Sequence, residues 1–99
     1  MVMFNPPHPG RIVRLVMGKS ITITALAKHL GVTRSQISMI LNGRAGISPL
    51  MGLKMDEAFD KSQGFFAGLQ ADYDLAQALK VKRKKVACLQ KSVTFDQAA

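Results

Sequence analysis

The sequence predicts an all-α domain built from five short helices. Three observations lead there. Apolar residues recur at spacings of three and four in five separate stretches, the period of a helix with one buried face. Capping residues precede most of these stretches, and glycine or asparagine follows several of them. Strand-like alternation is confined to VACLQKSVTF near the end and is too weak to count as a strand.

Residues 1–9 hold Pro6, Pro7 and Pro9 and read as an extended arm. The first helical pattern opens with Ile12, Leu15 and Val16 and fades at Gly18. Thr22 is an N-cap for ITALAKHL, whose Ile23, Leu26, Ala27 and Leu30 share a side. Gly31 follows, where a left-handed backbone ends the helix. Thr33 caps the third helix, with Ile37, Ile40 and Leu41 as its buried set and Asn42–Gly43 as its end. Ser48–Pro49 combines a capping hydroxyl with proline at the first helical position, where the missing N–H costs nothing. That fourth helix runs to about Phe59, with Met51, Met55, Ala58 and Phe59 inward. Ser62 is the expected cap of the last helix, with Phe65, Leu69, Tyr73 and Ala76 on one face and Phe65 in the core. The division is an arm at 1–9, a helical domain at 10–80 and a basic tail at 81–99.

A chain of 99 residues that is 47% hydrophobic supports one small core. Domains of this size gain stability from dimerisation. No apolar run approaches the roughly 18 residues a membrane helix needs. Prolines occupy the place of a signal peptide's apolar stretch, so a cytoplasmic location is expected. The lone Cys88 cannot form an internal disulfide.

The net charge of +8 is unevenly placed. Residues 1–55 carry seven Lys and Arg and no acid; residues 56–79 carry five acids against Lys61; residues 80–99 carry six bases against Asp96. An uncompensated basic half suits a polyanion, and the acidic stretch suggests a second surface.

The stretch from Ile23 to Asn42 narrows the fold to a helix–turn–helix. Ala27 lets two helices approach, Gly31 makes the turn, Val32 plugs the corner, and Ile37 with Ile40 anchors the third helix. Its outward face is then Arg34, Ser35, Ser38, Met39 and Asn42, free of acids. An α-helix fits the major groove of duplex DNA. Arg34 suits a guanine edge, Ser35 and Ser38 donate or accept, and Met39 suits a thymine methyl. Thr22, Thr33, Asn42 and Arg44 are placed for backbone phosphates. Gln36 either binds phosphate or holds a neighbouring side chain. The bland alternative is an ordinary solvated helix face.

From His8 to about Leu79 the chain resembles the HigA-type antitoxins, a branch of the phage-repressor-like (XRE/Cro-C1-type) helix–turn–helix group. The matching words are HPG (8–10), LAKHLGVTRSQIS (26–38), ILNGRAGISP (40–49) and FFAGLQADYDLAQA (65–78). The resemblance implies a five-helix, lambda-repressor-like domain that forms a homodimer. It implies binding to palindromic operators in its own promoter and silencing of a small basic HigB-like toxin that cleaves messenger RNA. It also implies base contacts at Arg34, Ser35 and Met39 and phosphate contacts at Thr33, Asn42 and Arg44. The sequence departs from the group at Leu50, where an acid is common, and at Gly52, where alanine is. Glycine there is expected to cost about 0.5–1 kcal/mol relative to alanine. Phe66 stands where tryptophan is common, and the basic tail has no counterpart. A stand-alone phage-like repressor without a toxin is the alternative reading.

No cofactor, metal site or enzyme activity is expected. His8, His29 and Cys88 do not form a metal-ligand spacing, and Cys88 has no nearby base. Asp56, Glu57, Asp60, Asp72 and Asp74 read as a solvated helix exterior. Asp72 and Asp74 are the candidate contacts to a basic toxin. The run Lys80 to Lys85 is either a solubilising tail or a further phosphate contact.

Overall fold

The computed structural model describes residues 5–89. Five helices follow in order: α1 (Pro9–Met17), α2 (Ile23–Leu30), α3 (Arg34–Leu41), α4 (Pro49–Ala58) and α5 (Phe65–Lys80). No strand occurs among the described residues. Among the described residues no helix is long and apolar enough to cross a membrane. The first four residues of the arm and the last ten of the tail lie outside the described residues.

One core is shared by all five helices. Val13 and Met17 of α1, Leu26, Ala27 and Leu30 of α2, Ile37, Ile40 and Leu41 of α3, Met55 of α4 and Phe66 of α5 close on one another, with Ile47 from the loop before α4. α3 packs between α1 and α2, while α5 lies across α4 and α1.

Local chemistry explains most boundaries. Thr22 Oγ1 accepts the Ala25 N–H at 3.0 Å, and Ser48 Oγ accepts the Met51 N–H at 3.2 Å. Each satisfies a backbone donor that the helix cannot pair internally. α1 starts earlier than its apolar pattern: Pro9 is its first residue, and His8 caps it through Nδ1, which accepts the Gly10 N–H at 2.9 Å. The arm therefore ends before His8. The His8 ring also meets Tyr73 of α5 edge-on, with centroids 4.9 Å apart. Gly10 sits so close to α3 that a Cβ there would overlap the Ile40 carbonyl oxygen.

The start of α5 corrects three expectations. Ser62 does not cap it. The N-cap is Gly64, which has no side chain to offer and sits at φ 93°. The missing acceptors come from Asp56 of α4, whose Oδ2 accepts the Gly64 N–H at 2.8 Å and Oδ1 the Phe66 N–H at 3.1 Å. Asp56 is thus not part of a solvated exterior; it is 2% exposed and joins α4 to α5. Of the expected face, Leu69 packs on the core and Ala76 is buried, but the first position differs. Phe66 is fully buried, while Phe65 is 36% exposed and lies under the Lys61 ammonium, 5.5 Å from its ring centroid.

Gly52 has a packing role that its helix propensity hides. It is buried, and a Cβ there would come within 3.2 Å of the Ala67 backbone nitrogen. Its absence lets α4 and α5 approach, which offsets the intrinsic cost of a helical glycine.

The register of α5 is testable by chemical denaturation. Phe66→Ala is expected to lower stability by about 3–5 kcal/mol, and Phe65→Ala by less than about 1.5. Equal losses would contradict the packing described. Asp56→Ala, which strands two backbone donors, should cost about 2–4 kcal/mol.

Candidate nucleic-acid interface

The turn between α2 and α3 is a closed hydrogen-bonded corner. Gly31 adopts φ 73° and ψ 33°, a conformation that penalises a Cβ. Its N–H donates to the Ala27 and Lys28 carbonyls, and the Val32 N–H donates to Ala27 O at 3.0 Å. Val32 is half-buried in the corner.

Thr33 then starts α3 with a reciprocal cap. Thr33 Oγ1 accepts the Gln36 N–H at 3.1 Å, and Gln36 Oε1 accepts the Thr33 N–H at 2.8 Å. The Thr33 hydroxyl donates to the same Oε1 at 3.2 Å. Two otherwise unpaired donors are satisfied at once. Of the two uses open to Gln36, the structure realises the contact with its neighbour; its amide Nε2 is not used by these bonds.

Burial of Ile37, Ile40 and Leu41 fixes which face of α3 looks outward. Arg34 and Ser35 are exposed, Ser38 is half-buried, and Met39 is 44% exposed. These four side chains and Ile23 line an open depression of about 410 Å³. Ile23 is the first residue of α2, so the start of that helix borders the outward face of α3. Thr22, beside it, is exposed at the helix start.

The far end of α3 is equally ordered. Asn42 Nδ2 donates to Ser38 Oγ at 3.3 Å. The Met39 carbonyl accepts the N–H groups of Arg44 at 2.8 Å and Ala45 at 3.2 Å, which folds this loop back along α3. Arg44 remains exposed. The loop is also held from α5: Gln70 Oε1 accepts the Ile47 N–H at 2.8 Å. Gln70 Nε2 in turn donates to Asp74 Oδ1 at 2.8 Å.

Arg34, Ser35, Ser38 and Met39 therefore share one surface, Thr22 and Thr33 lie at the two helix starts beside it, and Asn42 and Arg44 lie at its end. Asp72 and Asp74 are elsewhere, on α5. Asp72 is half-buried; Asp74 is exposed, as expected, and its Oδ1 accepts from Gln70. Sequence reasoning missed Gln70, whose partner lies 23 residues away, and His8, whose capping nitrogen is not a common helix-start signal. No set of three histidine, cysteine, aspartate or glutamate side chains able to hold a metal occurs among the described residues.

No acid occurs in residues 1–55, so the segments that form this surface bring only positive charge to it. It combines hydrogen-bonding side chains, one apolar contact and the positive charge of Arg34 and Arg44, groups suited to a base edge flanked by phosphates.

Residues 12–62 match the family model described as Helix-turn-helix. The chain belongs to that family of DNA-binding regulators, which are not enzymes. Within it, its likeness is to the HigA-type branch. An addiction module antidote protein of the HigA family from Coxiella burnetii is 33% identical, with a TM-score of 0.72 over 77% of this chain and 85% of that one. Antitoxin HigA of Pseudomonas aeruginosa, solved with the higBA promoter, is 37% identical with a TM-score of 0.70 over 75% and 83%. Virulence-associated protein A' of Dichelobacter nodosus is 43% identical over 96 residues, covering 95% of this chain and 84% of the relative.

The cap at Thr33 is measurable by thermal unfolding. Thr33→Ala should cost about 1 kcal/mol, a fall in Tm of about 4–8 °C for a domain of this size. Thr33→Ser should retain most of it. An unchanged Tm in the alanine variant would show that the capping bonds do not hold the start of α3.

Proposed function

We infer that the chain is a repressor of its own promoter and the antitoxin of a small messenger-RNA-cleaving toxin. One observation carries the DNA-binding part: the outward face of α3 is acid-free and is held by a core that leaves it no freedom to turn. With α3 in the major groove, Arg34, Ser35, Ser38 and Met39 face base edges. Thr22, Thr33, Gln36, Asn42 and Arg44 then meet phosphates at the two helix starts and in the loop beyond. Gln36 would do so through the Nε2 that its cap leaves available.

A homodimer would present two copies of α3 about 34 Å apart, one helical turn of DNA, and so match a palindromic site. Repression is then steric, because a bound dimer covers promoter DNA. The solved P. aeruginosa antitoxin with its promoter supports this reading of the shared fold. The C. burnetii antidote protein supports the toxin partner. The acidic stretch on α4 and α5 offers charge opposite to that of a basic toxin, with Asp72 and Asp74 as the proposed contacts. Charges at such a rim act chiefly on the rate of encounter.

Quantitative binding to the protein's own promoter tests the base contacts. Arg34→Ala should weaken it by about 1–3 kcal/mol and relax preference at one base position. Equal losses on promoter and unrelated DNA would refute base reading by Arg34. The toxin partner is tested by affinity capture of the chain from its native host. A small basic protein encoded beside it is expected, and its absence favours a stand-alone repressor. With that protein in hand, Asp72→Lys should slow association; an unchanged rate removes Asp72 from the docking surface.

A further inference from the structure

We propose that the segment following α5, residues 80–85, is a second DNA-backbone grip that extends the footprint beyond the helix–turn–helix. The inference rests on the reading of α3 as the DNA-facing helix. Lys80, Lys82, Arg83, Lys84 and Lys85 fall within six residues and are all exposed. No acid follows Asp74 until Asp96, so nothing in the adjoining chain neutralises them.

Helix chemistry accounts for only one of these charges. Lys80 lies in the last turn of α5, where a cation complements the helix dipole. The helix stops there, and residues 82–88 have no regular secondary structure. The dipole's influence fades within a turn, so the other four bases have no partner in it. Arg83 offers one guanidinium N–H to the neighbouring Lys84 carbonyl at 3.3 Å, which leaves its charge uncompensated.

The course of α5 carries the chain past the loop that follows α3. Near its start, the Phe66 N–H donates to Asp56 of α4. Further on, Gln70 holds Ile47, and then Tyr73 meets His8. His8 in turn borders Gly43, where an added Cβ would lie 3.9 Å from the ring. The helix therefore runs from the end of α4 past the loop that carries Arg44, and ends beyond it. The chain leaves α5 about 10 Å beyond Tyr73, at 1.5 Å per residue. From there residues 81–89 span at most about 30 Å when extended. Duplex DNA presents one phosphate charge for each ~1.7 Å of axis, so a segment of that length passes many. Contacts of this kind add affinity without sequence preference.

The test uses the full chain and a variant with Lys80, Lys82, Arg83, Lys84 and Lys85 all changed to Gln. Binding to a promoter duplex and to an unrelated duplex of equal length is measured over a salt series by fluorescence anisotropy. Removing one phosphate-bound cation makes the log–log salt slope shallower by about 0.9, so the loss of two contacts changes it by nearly two units and the loss of more changes it further. The shift should be the same on both duplexes, with promoter preference and helical circular dichroism unchanged. A salt slope equal to that of the unaltered chain overturns the proposal. So does an effect confined to the promoter duplex, which would mean base reading. If the unaltered chain shows no promoter preference but the slope still falls, the grip stands and base reading by α3 fails. If it binds neither duplex, both fail.

Discussion

The burial of Ile37, Ile40 and Leu41 is the constraint on which the rest of the structure depends. Those three side chains face α1, α2 and the core, so α3 can neither rotate nor withdraw without exposing them. Ile37 is fully buried and contributes about 1.5–3 kcal/mol by burial alone. The close approach of Gly10 to the Ile40 carbonyl adds a steric limit from the other side. What is left outside is decided by subtraction: Arg34, Ser35, Gln36 and Met39, with Ser38 at the edge. A face held this rigidly meets a ligand without first losing conformational freedom, which is the advantage of preorganisation.

Around that helix, the molecule uses polar side chains mainly as fasteners between segments. Thr33 and Gln36 close the start of α3, and Asn42 bridges to Ser38 near its end. Gln70, steadied by Asp74, ties the loop before α4 to α5. Asp56 supplies the cap that Gly64 cannot. The candidate interface is thereby connected to α5 through the Ile47 loop. A surface formed on α5 and the candidate DNA surface on α3 are consequently joined through that loop.

The legible part of this fold was the part written locally. Thr22, Thr33 and Ser48 bond to backbone three residues away, and Gly31 answers a local dihedral need, so their roles follow from neighbours in the chain. The apolar anchors of α3 follow from period alone, and with them the outward face. The start of α5 was not legible because its cap comes from Asp56, eight residues earlier in another helix. An aspartate amid charged neighbours looks like a surface residue until tertiary structure buries it. The choice between Phe65 and Phe66 was likewise open to a one-residue slip, since adjacent aromatics both satisfy an apolar pattern. Helix propensity alone made Gly52 look costly, and only the proximity of Ala67 reveals its use. His8 was hidden because a ring nitrogen seldom serves as a helix cap.

An NMR titration of the labelled chain with a duplex carrying its own promoter tests the central claim most directly. Large amide shifts are expected to cluster at Thr22–Ala25 and Thr33–Arg44, with the buried faces of α4 and α5 little changed. Shifts concentrated on α4 or α5, with residues 33–44 silent, would contradict the placement of α3 against DNA.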